Sequence, residues 1–270
     1  MDFALTEEQS LLKDSISKYL ANDYDFRARQ GIAASELGFS AEHWACFAEL
    51  GWLSVPFDEA IGGFGGAVED TAVVLEEFGK GLVVEPYLST VLLAGQLLAR
   101  SGRADLVRSI IDGSLHCALA GLERQSRQNF HDVATTATAV ADGFSLDGTK
   151  VLVMNGNAAQ KLIVTARTSG NQFDESGITL FVVDADATGI TKTAIRSMDG
   201  SRLANIVFRD VVVPSSAMLG ELNLASELLS PVILEARIAV CAEAVGIIDL
   251  LCRKTVEYSQ TRTQFGVAIG

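Results

Sequence analysis

Arg262, Gln264 and Phe265 fall in one short run directly behind a long apolar stretch. A guanidinium, an amide and an aromatic ring on one rigid element can grip a planar, anionic ligand such as a nucleotide cofactor. The fork of donors matches phosphate oxygens. A second reading is also open: a cation at a helix C-terminus is favoured by the helix dipole alone. Other chemistry-bearing residues form no comparable set. His43, His116 and His131 are scattered, which argues against a His-based metal site or a nucleophile triad. Cys46, Cys117, Cys241 and Cys252 form no Cys-x-x-Cys pair, and their apolar neighbours mark them as reduced core thiols. Gly62-Gly63-Phe64-Gly65-Gly66 follows no predicted strand and precedes no Gly-Lys-Ser/Thr, so it reads as a tight turn, not a phosphate cradle. Glu235 and Arg237 read as members of buried ion pairs with a neighbouring helix rather than as an active-site base.

The chain that must position these groups has 270 residues, enough for two domains or a little more. A net charge of −13 without a basic stripe argues against nucleic acid and anionic membranes as partners. The most apolar segment, 231–251, is interrupted by Glu235, Arg237, Glu243 and Asp249, and so does not read as a membrane span. The opening MDFALTEEQS is acidic where a signal peptide is basic. The expectation is a soluble, cytoplasmic protein.

Thr6, Glu7, Glu8 and Gln9 form a capping-box pattern ahead of helical spacing through Leu20. Ser40 is placed to cap a helix whose apolar face is Trp44, Phe47 and Leu50. Helices are predicted over 69–80, 89–100 and 104–112. After Gly113 the period changes to strands: 115–120, 133–140, 144–146, 150–154, 162–168, 178–183 and 206–213, with turns at Asp142-Gly143 and Asp147-Gly148. Short strands with many turns suggest a closed or sandwiched antiparallel unit. Ser230 and Pro231 then fit an N-cap and first helical position, and the helix runs to about 261. It is apolar nearly all round, which requires burial in a bundle or a subunit interface. The order is therefore helices up to 113, strands from 114 to 220, and from 221 the first helix of something unfinished.

Several segments resemble the acyl-CoA dehydrogenases. They include the opening helix from Ala4 to Ile16, Leu50-Gly51-Trp52 with Pro56 and Gly62-Gly63-Phe64-Gly65, and Leu146-Asp147-Gly148-Thr149-Lys150. Also similar are Phe208-Arg209-Asp210 through Pro214 with Leu219-Gly220, and the final Ala242–Gly246, Tyr258 and Arg262-Thr263-Gln264-Phe265-Gly266. The matches keep the family's order over the whole chain. The resemblance implies an α+β multidomain protein: an N-terminal helical domain at 1–113, a middle antiparallel β-barrel-like domain at 114–220, and from 221 to 270 the first helix of a C-terminal four-helix bundle, incomplete as it stands. It implies FAD and an acyl-CoA thioester lying between the middle and C-terminal domains. It also implies that Arg262 and Gln264 reach the pyrophosphate and adenosine part of FAD held by a neighbouring subunit, with Phe265 packing beside them.

The chain departs from the family where the flavin ring would sit. The usual Thr-Glu-Pro-x-Ala-Gly-Ser-Asp is replaced by 122–129, where only Glu123 is retained and Leu122 stands for the Thr. In the usual Lys-x-Trp-Ile-Thr-Asn, Leu152 replaces the Trp and Met154 the Thr. The family's catalytic Glu maps either to Ala236, beside Glu235, or beyond Gly270, so no catalytic residue is assigned and FAD binding at the chain's own pocket is in question. Gly177–Asp184 and Asp199–Asn205 resemble the small-subunit type of heteromeric bacterial enzymes that occur in dicarboxylyl-CoA and steroid side-chain degradation. A homo-oligomer with a relaxed pocket, a non-catalytic subunit completing a partner's FAD site, and a flavin oxidase or monooxygenase of the same fold stand as alternatives.

Overall fold

The computed structural model describes residues 4–270; the acidic start read above includes residues 1–3, which lie outside the described residues. The chain groups into two compact units. One comprises the chain up to Gly31, Ala67–Val83 and Arg237–Gly270; the other comprises Ile32–Gly66 and Val84–Ala236.

In the first unit, α1 (Glu7–Asp23) starts as its sequence demands. Thr6 Oγ1 accepts from Gln9 N at 3.1 Å and Gln9 Oε1 accepts from Thr6 N at 3.1 Å. Its Ile16 and Leu20 are buried. α2 (Phe26–Ala34), which has no counterpart in the sequence pattern, begins here. α4 (Val68–Gly81) carries Glu77, whose buried carboxylate accepts from Ser17 Oγ and Lys80 Nζ, both at 2.6 Å. The C-terminal part of α7 (Ala225–Thr261) crosses α4 at backbone contact. A methyl added at Gly246 would meet the Glu76 carbonyl oxygen at 1.9 Å, and one at Gly79 would meet the Glu243 carbonyl oxygen at 2.1 Å. Two glycines on facing helices thus permit a separation that side chains forbid.

In the second unit, α3 (Ala41–Glu49) is capped by Ser40 and buries Trp44 and Phe47. A π-helical stretch, Leu88–Gly95, runs into α5 (Gln96–Arg100), where the sequence pattern gives one regular helix; α6 (Ala104–Ile111) follows. The strands are β1 (Cys117–Ala120), β2 (Thr136–Val140), β3 (Gly143–Met154), β4 (Lys161–Arg167), β5 (Ile178–Asp184), β6 (Ile190–Arg196), β7 (Arg202–Pro214) and β8 (Met218–Leu219). The sheet order is β6-β7-β3-β2-β4-β5-β8. β1 pairs parallel with β4, so the sheet is mixed rather than wholly antiparallel. Its core gathers Leu146, Val153, Leu162, Val164, Phe181, Val183, Ile206, Phe208, Val211 and Val213.

Asp147-Gly148 makes no turn. It lies inside the continuous β3, at a register shift between Leu146 opposite Val211 and Gly148 opposite Phe208. Asp147 Oδ1 accepts from Asp210 N at 3.0 Å, and Asp210 adopts φ +50°. One extra residue on β7 forms a bulge there, and inward-facing positions change from even (204, 206, 208) to odd (211, 213). Ser230-Pro231 is likewise not a helix start. α7 begins at Ala225, where Ser226 Oγ donates to the Glu175 carbonyl at 2.7 Å and Ala225, Leu229 and Val232 are buried. That anchoring carries the helix through Pro231, which lies in its second turn and costs it one i to i−4 hydrogen bond. β6 also went without a sequence signal, because a weakly alternating edge strand buries little.

Candidate functional site

Arg262, Gln264 and Phe265 come together at the end of α7. There β9 (Thr263–Gln264) and β10 (Val267–Ala268) form a hairpin with Gln264 opposite Val267. Phe265 (φ +53°) and Gly266 (φ +82°) fill its two-residue turn, which requires positive φ at both positions. The hairpin is tied back to the helix by Arg262 N to the Tyr258 carbonyl (2.9 Å), Ile269 N to the Arg262 carbonyl (3.1 Å) and Gly270 N to the Ser259 carbonyl (3.2 Å). With its amide oxygen turned to the guanidinium, Gln264 accepts from Arg262 Nη2 at 2.8 Å and Nε at 3.2 Å. All three side chains are exposed, the Phe265 ring completely. The turn thus presents a cation, oriented by an amide, beside an unburied ring. That donor set suits a pyrophosphate supplied from outside the chain.

The second candidate region is the C-terminal end of β3. A further register shift separates Lys150, opposite Ile206, from Val153, opposite Ala204. Leu152 sits in this bulge at φ +52° and is 51% exposed, and Met154 is 37% exposed. The bulge is what re-aims Leu152 away from the core. Nearby backbone donors are already engaged: Leu152 N donates to Asn205 Oδ1 at 3.1 Å and Val151 N to the Leu122 carbonyl at 2.9 Å.

Glu123 belongs to the same neighbourhood but faces inward. Its carboxylate accepts from Lys150 Nζ at 2.7 Å, Thr135 N and Ala134 N at 3.0 Å each, and Gln125 Nε2 at 2.8 Å. Lys150 Nζ also donates to Thr165 Oγ1 at 2.8 Å. Burial alone would raise the Glu123 carboxyl, but the Lys150 charge and the donors outweigh it and hold it at about 2. Burial pulls Lys150 down to about 8 against the opposing attraction of Glu123. Both are charged at neutral pH, and the pair fastens the 121–135 segment to the sheet. Sequence reasoning noted each residue but not the pair. The available signal was parity: Leu146, Gly148 and Lys150 share the inward face, and an inward lysine among apolar residues needs a carboxylate.

Glu235 makes an ion pair, with Arg100 Nη2 at 2.6 and 2.7 Å from its two oxygens, but the pair is part-exposed rather than buried, and Arg237 is exposed. Ala236 is buried. The glycine-rich run is a tight turn: the N–H groups of Gly62, Gly63, Phe64, Gly65 and Gly66 all donate to carbonyls between Ser54 and Glu59, leaving none for a phosphate. The reading of the cysteines as core thiols is corrected. Only Cys117 is buried, Cys46 is intermediate, and Cys241 and Cys252 lie exposed on the α7 face that carries Leu234, Ile238, Val245 and Ile248. Among the described residues no group of His, Cys, Asp and Glu could hold a metal ion, and no helix is long and apolar enough to cross a membrane.

The family profile described as acyl-CoA dehydrogenase, N-terminal domain, matches residues 6–112, and that described as acyl-CoA dehydrogenase, middle domain, matches 118–211. The short-chain-specific acyl-CoA dehydrogenase of Megasphaera elsdenii is 30% identical over 283 residues, spanning 98% of this chain and 72% of that protein. The FAD complex of PigA has the same fold, with a TM-score of 0.91 and 25% identity over 100% of this chain and 73% of that one. A chain of the ChsE4–ChsE5 complex from Mycobacterium tuberculosis matches with a TM-score of 0.87 and 25% identity, over 100% of this chain and 71% of that one.

Proposed function

We infer the function from one premise: the chain belongs to the acyl-CoA dehydrogenase family. From it we propose that this protein is a subunit of an FAD-linked enzyme that introduces an α,β double bond into an acyl-CoA thioester, within a heteromeric complex of the small-subunit type. Likeness in fold to a chain of the ChsE4–ChsE5 complex supports the heteromeric part. The observation that carries the proposal is the exposed Arg262–Gln264 pair on its hairpin.

In this reading Arg262 binds the pyrophosphate of FAD held by a neighbouring subunit, Gln264 fixes the guanidinium and faces the adenosine side, and Phe265 packs beside them. Bound FAD would supply a hydride acceptor for the β-hydrogen, and a carboxylate would take the α-proton. Glu235 is engaged by Arg100, and Ala236 has no acid to offer, so that carboxylate comes from elsewhere in the assembly. The same two residues favour a second reading, in which this subunit is non-catalytic and only completes the partner's FAD site. Arg262→Ala tests both: the assembly should lose most of its FAD on gel filtration, followed by flavin absorbance. Unchanged retention would overturn them.

A further inference from the structure

We propose that this chain holds no flavin at its own β3 strand end, so that FAD in the assembly sits only on the partner subunit. This rests on the reading that a neighbouring subunit carries the FAD. A flavin ring presents a polar edge that needs donors and a flat face that needs a platform. At this strand end the outward side chains are Leu152 and Met154, with Leu122 alongside, and none of them is a donor or a ring. The donors that flank these side chains on the strand and at Ser126 are already engaged. Leu152 N is held by Asn205, Val151 N by Leu122, and the Ser126 hydroxyl donates to the Glu123 carbonyl at 2.9 Å. Glu123, retained from the family's flavin-contacting segment, is committed to Lys150, Gln125 and two backbone N–H groups. Thr135 Oγ1 and Asn155 Nδ2 lack partners, but both atoms are sealed from solvent and out of a ligand's reach.

The test isolates the assembly through a tag on this chain, releases FAD with acid and counts it against both polypeptides. One FAD per pair of unlike subunits is expected. Two per pair, or one per copy in an assembly of this chain alone, would overturn the proposal. A second measurement places the flavin that is found. Leu152→Asp puts a charge on the exposed face without touching the core, and it should leave FAD content unchanged; loss of FAD in this variant would overturn the proposal. Arg262→Ala separates this inference from the reading it rests on. One FAD per pair that survives both substitutions sinks the Arg262 contact yet leaves the strand end without flavin. Two per pair, one of them lost with Arg262→Ala, does the reverse.

Discussion

Lys150 Nζ stands 2.7 Å from Glu123 Oε1, with the two side chains 0% and 4% exposed. Removing one charge of a buried pair strands the other, at a cost of about 3–5 kcal/mol. Glu123→Gln should therefore shift the urea midpoint strongly downward. Replacing both residues, Glu123→Leu with Lys150→Met, should be milder than the single change, because no charge is left unpaired. A double variant as unstable as the single one would show that the pair's backbone hydrogen bonds, not its charge balance, hold the segment.

Gly246 faces the Glu76 carbonyl, and Gly79 faces that of Glu243. Backbone cannot yield as a flexible side chain does, so Gly246→Ala must push α4 and α7 apart and should destabilise by about 1–3 kcal/mol. Gly31, within α2, has nothing within 4 Å of an added methyl, so Gly31→Ala should be neutral or stabilising by about 0.5–1 kcal/mol through backbone entropy. Thermal unfolding of the two variants side by side checks the contrast.

Arg167 gathers the carbonyls of His131 (3.0 Å), Gln172 (2.7 Å), Asp174 (3.0 Å) and Ser176 (2.7 Å) onto its two terminal nitrogens. A lysine keeps the charge but not the planar fork, and can satisfy fewer of these oxygens. Arg167→Lys should loosen the 168–177 loop while leaving the sheet folded. Limited proteolysis should then cut within that loop at least several-fold faster than in the native chain.

What could be read ahead of the structure was local. Thr6 with Gln9, and Ser40 ahead of Trp44, carry their helix starts in neighbouring residues, and both caps form. Asp147-Gly148 misleads because a turn dipeptide and a bulge share the same residues; only the partner strand, through Asp210, decides between them. Pro231 misleads because contacts at Ser226, distant in sequence, set the helix start. Arg262, Gln264 and Phe265 stood out because they are adjacent, whereas the hydrogen bond between Arg262 and Gln264 depends on the hairpin. Glu123 and Lys150 meet only once β3 lies beside the loop that follows β1, and no local pattern encodes that meeting.

His116 sits between Phe39 and Trp44, with ring centroids 4.8 and 4.9 Å away, and its Nδ1 is buried without a hydrogen-bond partner. Burial pushes its pKa down from 6.5 to about 4. The unfolded chain therefore takes up this proton at a higher pH than the folded one. Its contribution to stability is whole above about pH 6.5 and is lost as pH falls toward 4, by about 3 kcal/mol at most. His116→Phe keeps the aromatic packing and removes the proton site. The melting temperature of the variant should fall less steeply between pH 6.5 and 4, while the loss nearer pH 2, where Glu123 takes up its proton, should persist. A variant whose melting temperature tracks the native slope between pH 6.5 and 4 would move the acid sensitivity to other groups.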